Sequence, residues 1–152
     1  MIYIGVDPGK RGGYALICDG EPDVHVWDDD GFVTWLTGVK VVAKANGDHV
    51  FAAVEKVGAM PRQGVTSMFS FGQSFGFILG VLTAFGIGYQ LVPPRKWKAE
   101  FGLLNTQKQA SVDVAKRLFP SVSLLPSDRC RKESDGMADA LCLCEYARRH
   151  FG

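Results

Sequence analysis

The sequence predicts an α/β fold: a five-stranded mixed sheet with helices on its faces, built as one domain over residues 1–152. Three observations carry this expectation. The N-terminal stretch runs through three short β-rich segments parted by tight breakers, the pattern of an antiparallel meander. Beyond it, strand-like segments alternate with helix-length ones, the pattern of crossover connections. A length of 152 residues, 47% hydrophobic and 22% charged, suits one globular core.

The elements follow in order. Ile2-Tyr3-Ile4-Gly5-Val6 is the first strand, halted by Asp7-Pro8-Gly9. Tyr14 to Cys18 is the second, ended by Asp19-Gly20, and Val24 to Trp27 is the third. Phe32, Leu36 and Val39 recur at helical spacing and predict a helix over about 30–45. Asn46-Gly47-Asp48 is a turn, and Val50 to Glu55 is a strand apolar enough to be central. An uncharged helix is expected over about 65–85, then a short strand over 89–92 stopped by Pro93-Pro94. A short helix over about 95–101 and a longer one over about 107–118 come next, followed by a Ser/Pro/Arg-rich loop to Glu133. Ser134 is placed to cap a last amphipathic helix, from Asp135 to about His150.

Net charge is +1, which excludes a wholesale basic coat for nucleic acid. The balance is uneven, however. Residues 1–94 carry six Lys and Arg against nine Asp and Glu, and residues 95–152 carry eleven against seven. A basic face offset by an acidic pocket fits these numbers. Cys18, Cys130, Cys142 and Cys144 show neither CxxC nor zinc spacing, and MIYIGVDPGK lacks a basic-then-apolar leader. The expectation is free thiols in a reducing, cytosolic compartment. From Gln63 to Pro94 no residue is charged. Four glycines in FGFILGVLTAFGIGY, the polar Gln73, Ser74 and Thr83, and the lack of a basic flank at its start argue against a membrane span. A helix buried on most faces, by the sheet on one side and a partner on another, is expected instead.

Four carboxylates stand where core building would not put them. Asp7 and Glu55 each close an otherwise apolar strand. With those strands adjacent and their ends aligned, the two acids face each other across about 4.8 Å of strand spacing. Asp135 and Asp139 are four apart, on one face of a helix whose other pattern residues are apolar. Each has an ordinary reading taken singly: a turn for Asp7, an ion pair with Lys56 or Arg62 for Glu55, a helix-dipole contact for Asp135. Together they are the hard-oxygen set a divalent cation such as magnesium uses. Two such ions about 3.5–4 Å apart serve phosphodiester hydrolysis. His25, His49 and His150 lie elsewhere in sequence, so no histidine is a candidate general base.

GVDPGKRGGYAL, AAVEKV, SFGQSFGFILG, QKQASVDVAKRLFP and DGMADAL, in this order over nearly the whole chain, resemble the RuvC-type Holliday junction resolvases. These belong to the RNase H-like superfamily, and the phage-encoded branch is the nearest in pattern. The resemblance implies strand order 3-2-1-4-5 with strands 1–3 antiparallel. It implies that Asp7, Glu55, Asp135 and Asp139 are catalytic metal ligands for magnesium, two ions per site and replaceable by manganese, with no organic cofactor. Lys108 falls where the family carries a basic residue, and is assigned the scissile phosphate or the transition-state charge. The resemblance also implies a homodimer in a bacterial or phage-infected cytosol. Its two sites would nick a four-way junction symmetrically and leave 5′-phosphate and 3′-hydroxyl ends. There are two departures. The last two acids are spaced four apart where the bacterial enzymes generally have three, and Asp135 is preferred as ligand because Gly136 cannot serve. The family's aromatic after the strand-four acid is replaced by Lys56-Val57-Gly58-Ala59-Met60-Pro61-Arg62, so a wedge role passes to Met60 or Phe69 or lapses.

Arg62, Gln63, Arg95, Lys96, Lys98, Lys108, Arg129, Arg131 and Lys132 are the candidate nucleic-acid contacts, supplying affinity through phosphate. Gly76 and Gly80 open one face of the uncharged helix to close approach, and a two-fold interface is expected there. The expected activity is structure-selective cleavage of branched DNA, four-way junctions first. The rivals are a broader fork or flap nuclease and a non-catalytic RNase H-like binding module.

Overall fold

Breakers of a few residues between the first three segments leave room only for hairpins, and hairpins are what form. In the computed structural model, which describes residues 1–58 and 61–152, β1 (Ile2–Asp7), β2 (Gly13–Cys18) and β3 (Glu21–Val26) pair antiparallel in sequence. Helix α1 (Asp29–Asn46) crosses to β4 (Val50–Glu55), and α2 (Val65–Ala84) crosses to β5 (Gly88–Val92). Both of these strands are parallel additions, β4 beside β1 and β5 beside β4. The sheet order is β3-β2-β1-β4-β5, as the resemblance implies. Three more helices complete the chain: α3 (Pro94–Glu100), α4 (Gln109–Leu118) and α5 (Asp135–His150).

Strand β3 begins at Glu21, three residues earlier than the sequence pattern suggests. Pro22 lies in the strand opposite Ile17. An edge strand tolerates the missing N–H because one row of its backbone groups faces away from the sheet. Asp28 caps α1 by accepting from the Gly31 N–H at 2.7 Å, and Ser134 caps α5 by accepting from Met137 at 3.2 Å.

The two-residue period of the strands sorts the core into two layers. Ile2, Ile4 and Val6 of β1, with Ala52 and Val54 of β4, pack against Phe32 and Leu36 of α1 and Ile78 and Leu82 of α2. Ala53 of β4 and Ala15 and Ile17 of β2 face the other way, toward α3, α4 and α5. Asp7 and Glu55 fall in the phase of this second face. Helix α5 lies directly on it: a Cβ at Gly5 would collide with the backbone of Ala140 and Cys144. Glycine at position 5 is therefore what lets α5 come close enough to set its acids beside the strand ends.

Helix α2 differs from its expectation. Only Ile78 and Leu82 are buried along it, while Val65, Phe69 and Phe77 are exposed. Phe75 and Phe85 are half-buried against the core. Within one chain the helix is thus mostly uncovered, since it leans on the sheet through its C-terminal half alone. By length and composition it could cross a membrane. Gly76 and Gly80 lie on the open side, with nothing within 4 Å of a Cβ built at either.

Candidate active site

The strand register aligns the two strand-final acids. Val6 pairs with Val54, so Asp7 and Glu55, next in each strand, reach the same end of the sheet. The N-terminal turn of α5 arrives at that end because Gly136 lets it pack on the loop after β1: a Cβ there would strike the backbone of Arg11 and Gly12. Asp135 and Asp139 thereby join Asp7 and Glu55 in lining one open cleft of about 1310 Å³. Gln63, Lys98 and Lys108 line it too. The three histidines are not among the lining residues.

Burial and mutual charge both act on the acids of the cleft. Burial raises the Asp7 pKa well above the carboxylate range, and the charges of Glu55, Asp139 and Asp135 add to that while Lys98 opposes them. Burial likewise raises Glu55, against an indole hydrogen bond and the Lys98 charge. Asp139 is raised to about 6 by burial, with Ser111 and Lys98 lowering it and Glu55 and Asp135 raising it. Like charges sharing a half-buried site each favour the proton on a neighbour. Among the described residues only Asp135 of the four makes an ion pair, with Lys108 at 3.4 Å. Neither Lys56 nor Arg62 pairs with Glu55. Its Oε2 accepts instead from the Trp97 indole N–H at 2.8 Å.

A divalent cation fits this donor set. The groups are all oxygen acids, they converge from three elements, and their mutual repulsion is what a bound cation would relieve. Among the described residues no three His, Cys, Asp or Glu side chains stand as a ready-formed cage.

The remaining candidates divide. Lys98 sits deeper than a peripheral phosphate contact would, since its charge is felt by Asp7, Glu55 and Asp139 alike. Lys108 is 78% exposed and lines the cleft beside Asp135. Arg62, Arg95, Lys96, Arg129, Arg131 and Lys132 are exposed and outside the cleft lining. Phe69 is 69% exposed, and Met60, the other wedge candidate, lies outside the described residues.

Several cleft residues carry no sequence expectation. Lys10 and Arg11, in the loop after β1, line the cleft; neither is among the nucleic-acid contacts expected from the sequence. Thr66, Ser67, Ser70 and Ser74 give the apolar α2 one hydroxyl-bearing stripe that faces the acids. Their spacing of three and four is a helical face visible in the sequence, masked by the apolar residues around it. Trp97, the neutral partner of Glu55, carries no chemical signature until the fold places it.

No family model matches the chain. Over 99 residues, 64% of its length, it is 33% identical to the chloroplastic Holliday junction resolvase MOC1 of Chlamydomonas reinhardtii, and it spans 11% of that relative's length. It superposes on the Thermus thermophilus RuvC structure with a TM-score of 0.56 at 15% identity, over 98% of this chain and 96% of that one. Against T. thermophilus RuvC in complex with Holliday junction substrate the TM-score is 0.59 at 17% identity, over 99% and 96%. The fold is the RuvC-type, RNase H-like one.

Proposed function

We propose that this chain is a magnesium-dependent endodeoxyribonuclease that resolves four-way DNA junctions. It acts as a homodimer making paired symmetric nicks that leave 5′-phosphate ends. The observation that carries the reading is the convergence of Asp7, Glu55, Asp135 and Asp139 from β1, β4 and α5 on one cleft bordered by Lys98 and Lys108. The likeness to MOC1 and to RuvC, itself known in complex with a Holliday junction substrate, narrows the substrate from phosphodiesters in general to that junction.

Asp7, Glu55, Asp139 and Asp135 would hold the divalent metal, whose bound water is more acidic and whose charge polarises the phosphoryl oxygen. Lys98 offsets the acids and meets the substrate phosphate within the cleft. Lys108 exchanges its contact with Asp135 for the scissile phosphate, which makes its charge available where negative charge develops. Lys10 and Arg11 neutralise flanking phosphates. The α2 hydroxyls offer neutral donors to the sugar-phosphate backbone, which fixes register without reading sequence. Arg62, Arg95, Lys96, Arg129, Arg131 and Lys132, outside the cleft, would engage the outer arms of a branched duplex. The uncovered α2 face, with Gly76 and Gly80 on it, would be the dimer contact: Val65, Phe69 and Phe77 are exposed along the same helix, and contiguous apolar surface is what such contacts use. Four free cysteines suit a reducing compartment.

The test is a panel of end-labelled four-way, fork, flap and linear DNA with Mg2+ or EDTA, alongside sizing at micromolar concentration. Paired nicks on the four-way junction alone, from a dimer, are expected. Equal cutting of forks and flaps would replace the junction assignment with a broader nuclease. Binding without cleavage in Mg2+ and Mn2+ would replace it with a binding module.

A further inference from the structure

We infer that Trp97 is the positioning residue of the site: its indole N–H holds one oxygen of Glu55 so that the other is presented to the metal. This rests on the proposed nuclease reading and goes beyond it in naming a residue that is no ligand. Strand β5 pairs Val92 with Glu55, and the chain turns at Pro93 directly into α3, so the fourth residue of that helix comes up behind the Glu55 side chain. Trp97 is fully buried there, among the side chains of the α5-facing core. An indole has one donor and no acceptor, and when buried it needs a partner. That partner is Glu55 Oε2, at 2.8 Å.

A glutamate has three rotatable side-chain bonds, and an unheld one samples several positions of its carboxylate. Fixing one oxygen with a donor that is itself locked in the core removes most of that freedom. It also leaves the carboxylate charge in place, which a lysine or arginine at position 97 would cancel. The next residue, Lys98, lies 5.3 Å from the Trp97 ring centroid, so the same turn of α3 aims the acid and supplies the cleft's central cation. The molecule provides two internal controls. The Trp27 and Trp35 indoles also donate to carboxylates, Asp29 and Asp23, on the opposite edge of the sheet.

Wild type and Trp97→Phe, which keeps an aromatic ring but donates nothing, are titrated with MgCl2 by calorimetry and assayed on a four-way junction. Indole N–H resonances are followed by 15N NMR in parallel. The Trp97 resonance, assigned by its absence from Trp97→Phe, moves with Mg2+ in wild type, and that response disappears in Glu55→Gln. Trp27 and Trp35 stay still. Trp97→Phe binds Mg2+ about 10- to 100-fold more weakly, with kcat reduced and the KM for DNA unchanged. A Trp97 resonance indifferent to Mg2+, or a Trp97→Phe with wild-type Mg2+ affinity, overturns the assignment and leaves Trp97 a core residue. If Trp97→Phe does not fold, the Trp97 resonance is assigned as the one present in both Trp27→Phe and Trp35→Phe, and the wild-type and Glu55→Gln spectra decide. Wild type that neither binds Mg2+ nor cuts the junction overturns the nuclease reading itself. Wild-type activity in both proteins overturns only the role of Trp97.

Discussion

Helix α5 carries Asp139 and Glu145 six residues apart and treats them in opposite ways. Glu145 is 4% exposed, and burial pushes its pKa up. Yet Arg148 and Arg149 donate to it at 2.7–2.8 Å, outweigh burial and hold it below the usual carboxylate range. Arg149 also reaches Glu100 at 3.1 Å, so the far end of α5 is an ion cluster closed on itself. Asp139, near the other end, has no ion pair among the described residues and rises to about 6. Burial is common to both; a committed cation is not. The fold places two guanidinium groups on one buried acid and leaves Asp7, Glu55 and Asp139 facing each other, an arrangement costly to the metal-free protein and useful to a site that recruits a cation from outside.

The largest expected effect of breaking that contrast is at Asp139. Asp139→Asn should reduce junction cleavage by about 10²- to 10³-fold, the scale of losing a group that stabilises developing charge. In EDTA it should stabilise the fold at pH 7 by roughly 2 kcal/mol, since a carboxylate raised from 3.8 to about 6 opposes folding once ionised. The sign follows from the direction of each shift. The contribution of Asp139 is fully present below about pH 4 and is lost as pH rises through about 6. That of Glu145 is present above about pH 4.3 and is lost as pH falls through its depressed folded value. Metal-free wild type should therefore lose stability as pH rises from about 4 through about 6. Asp139→Asn should flatten that limb, as read by urea titration at each pH.

Glu145→Ala should do the reverse. Two charge-assisted partners are lost, and stability falls by about 2 kcal/mol in the same titration. Cleavage per folded molecule should be unchanged, because nothing in the cluster lines the cleft. The smallest effect is expected at the periphery. Arg129→Ala should weaken junction binding about equally for all junction sequences and lower the salt slope of affinity by about 1, measured between 50 and 200 mM salt.

Much of this was legible before folding, and the reasons are local. Asp7 and Glu55 stand out because an acid at the end of an apolar strand breaks a two-residue pattern. Ser134, Asp135 and Asp139 stand out because a cap and a helical spacing can be counted. What stayed hidden depends on contacts between distant segments. Trp97 looks like any core aromatic until β5 carries it behind Glu55. Lys98 looks like a surface cation until α3 turns it into the cleft. The early start of β3 is obscured by Pro22, which only an edge position excuses. Helix α2 reads as a buried helix because composition reports apolar surface and not what covers it.

The most direct measurement is the comparison of wild type with Asp7→Asn on one labelled four-way junction in Mg2+, with binding and cleavage followed separately. Asp7→Asn should bind the junction at least as tightly as wild type, having one fewer charge to repel phosphate, and should leave it uncut. An Asp7→Asn protein that nicks the junction at the wild-type rate would contradict the assignment of this cleft as the catalytic centre.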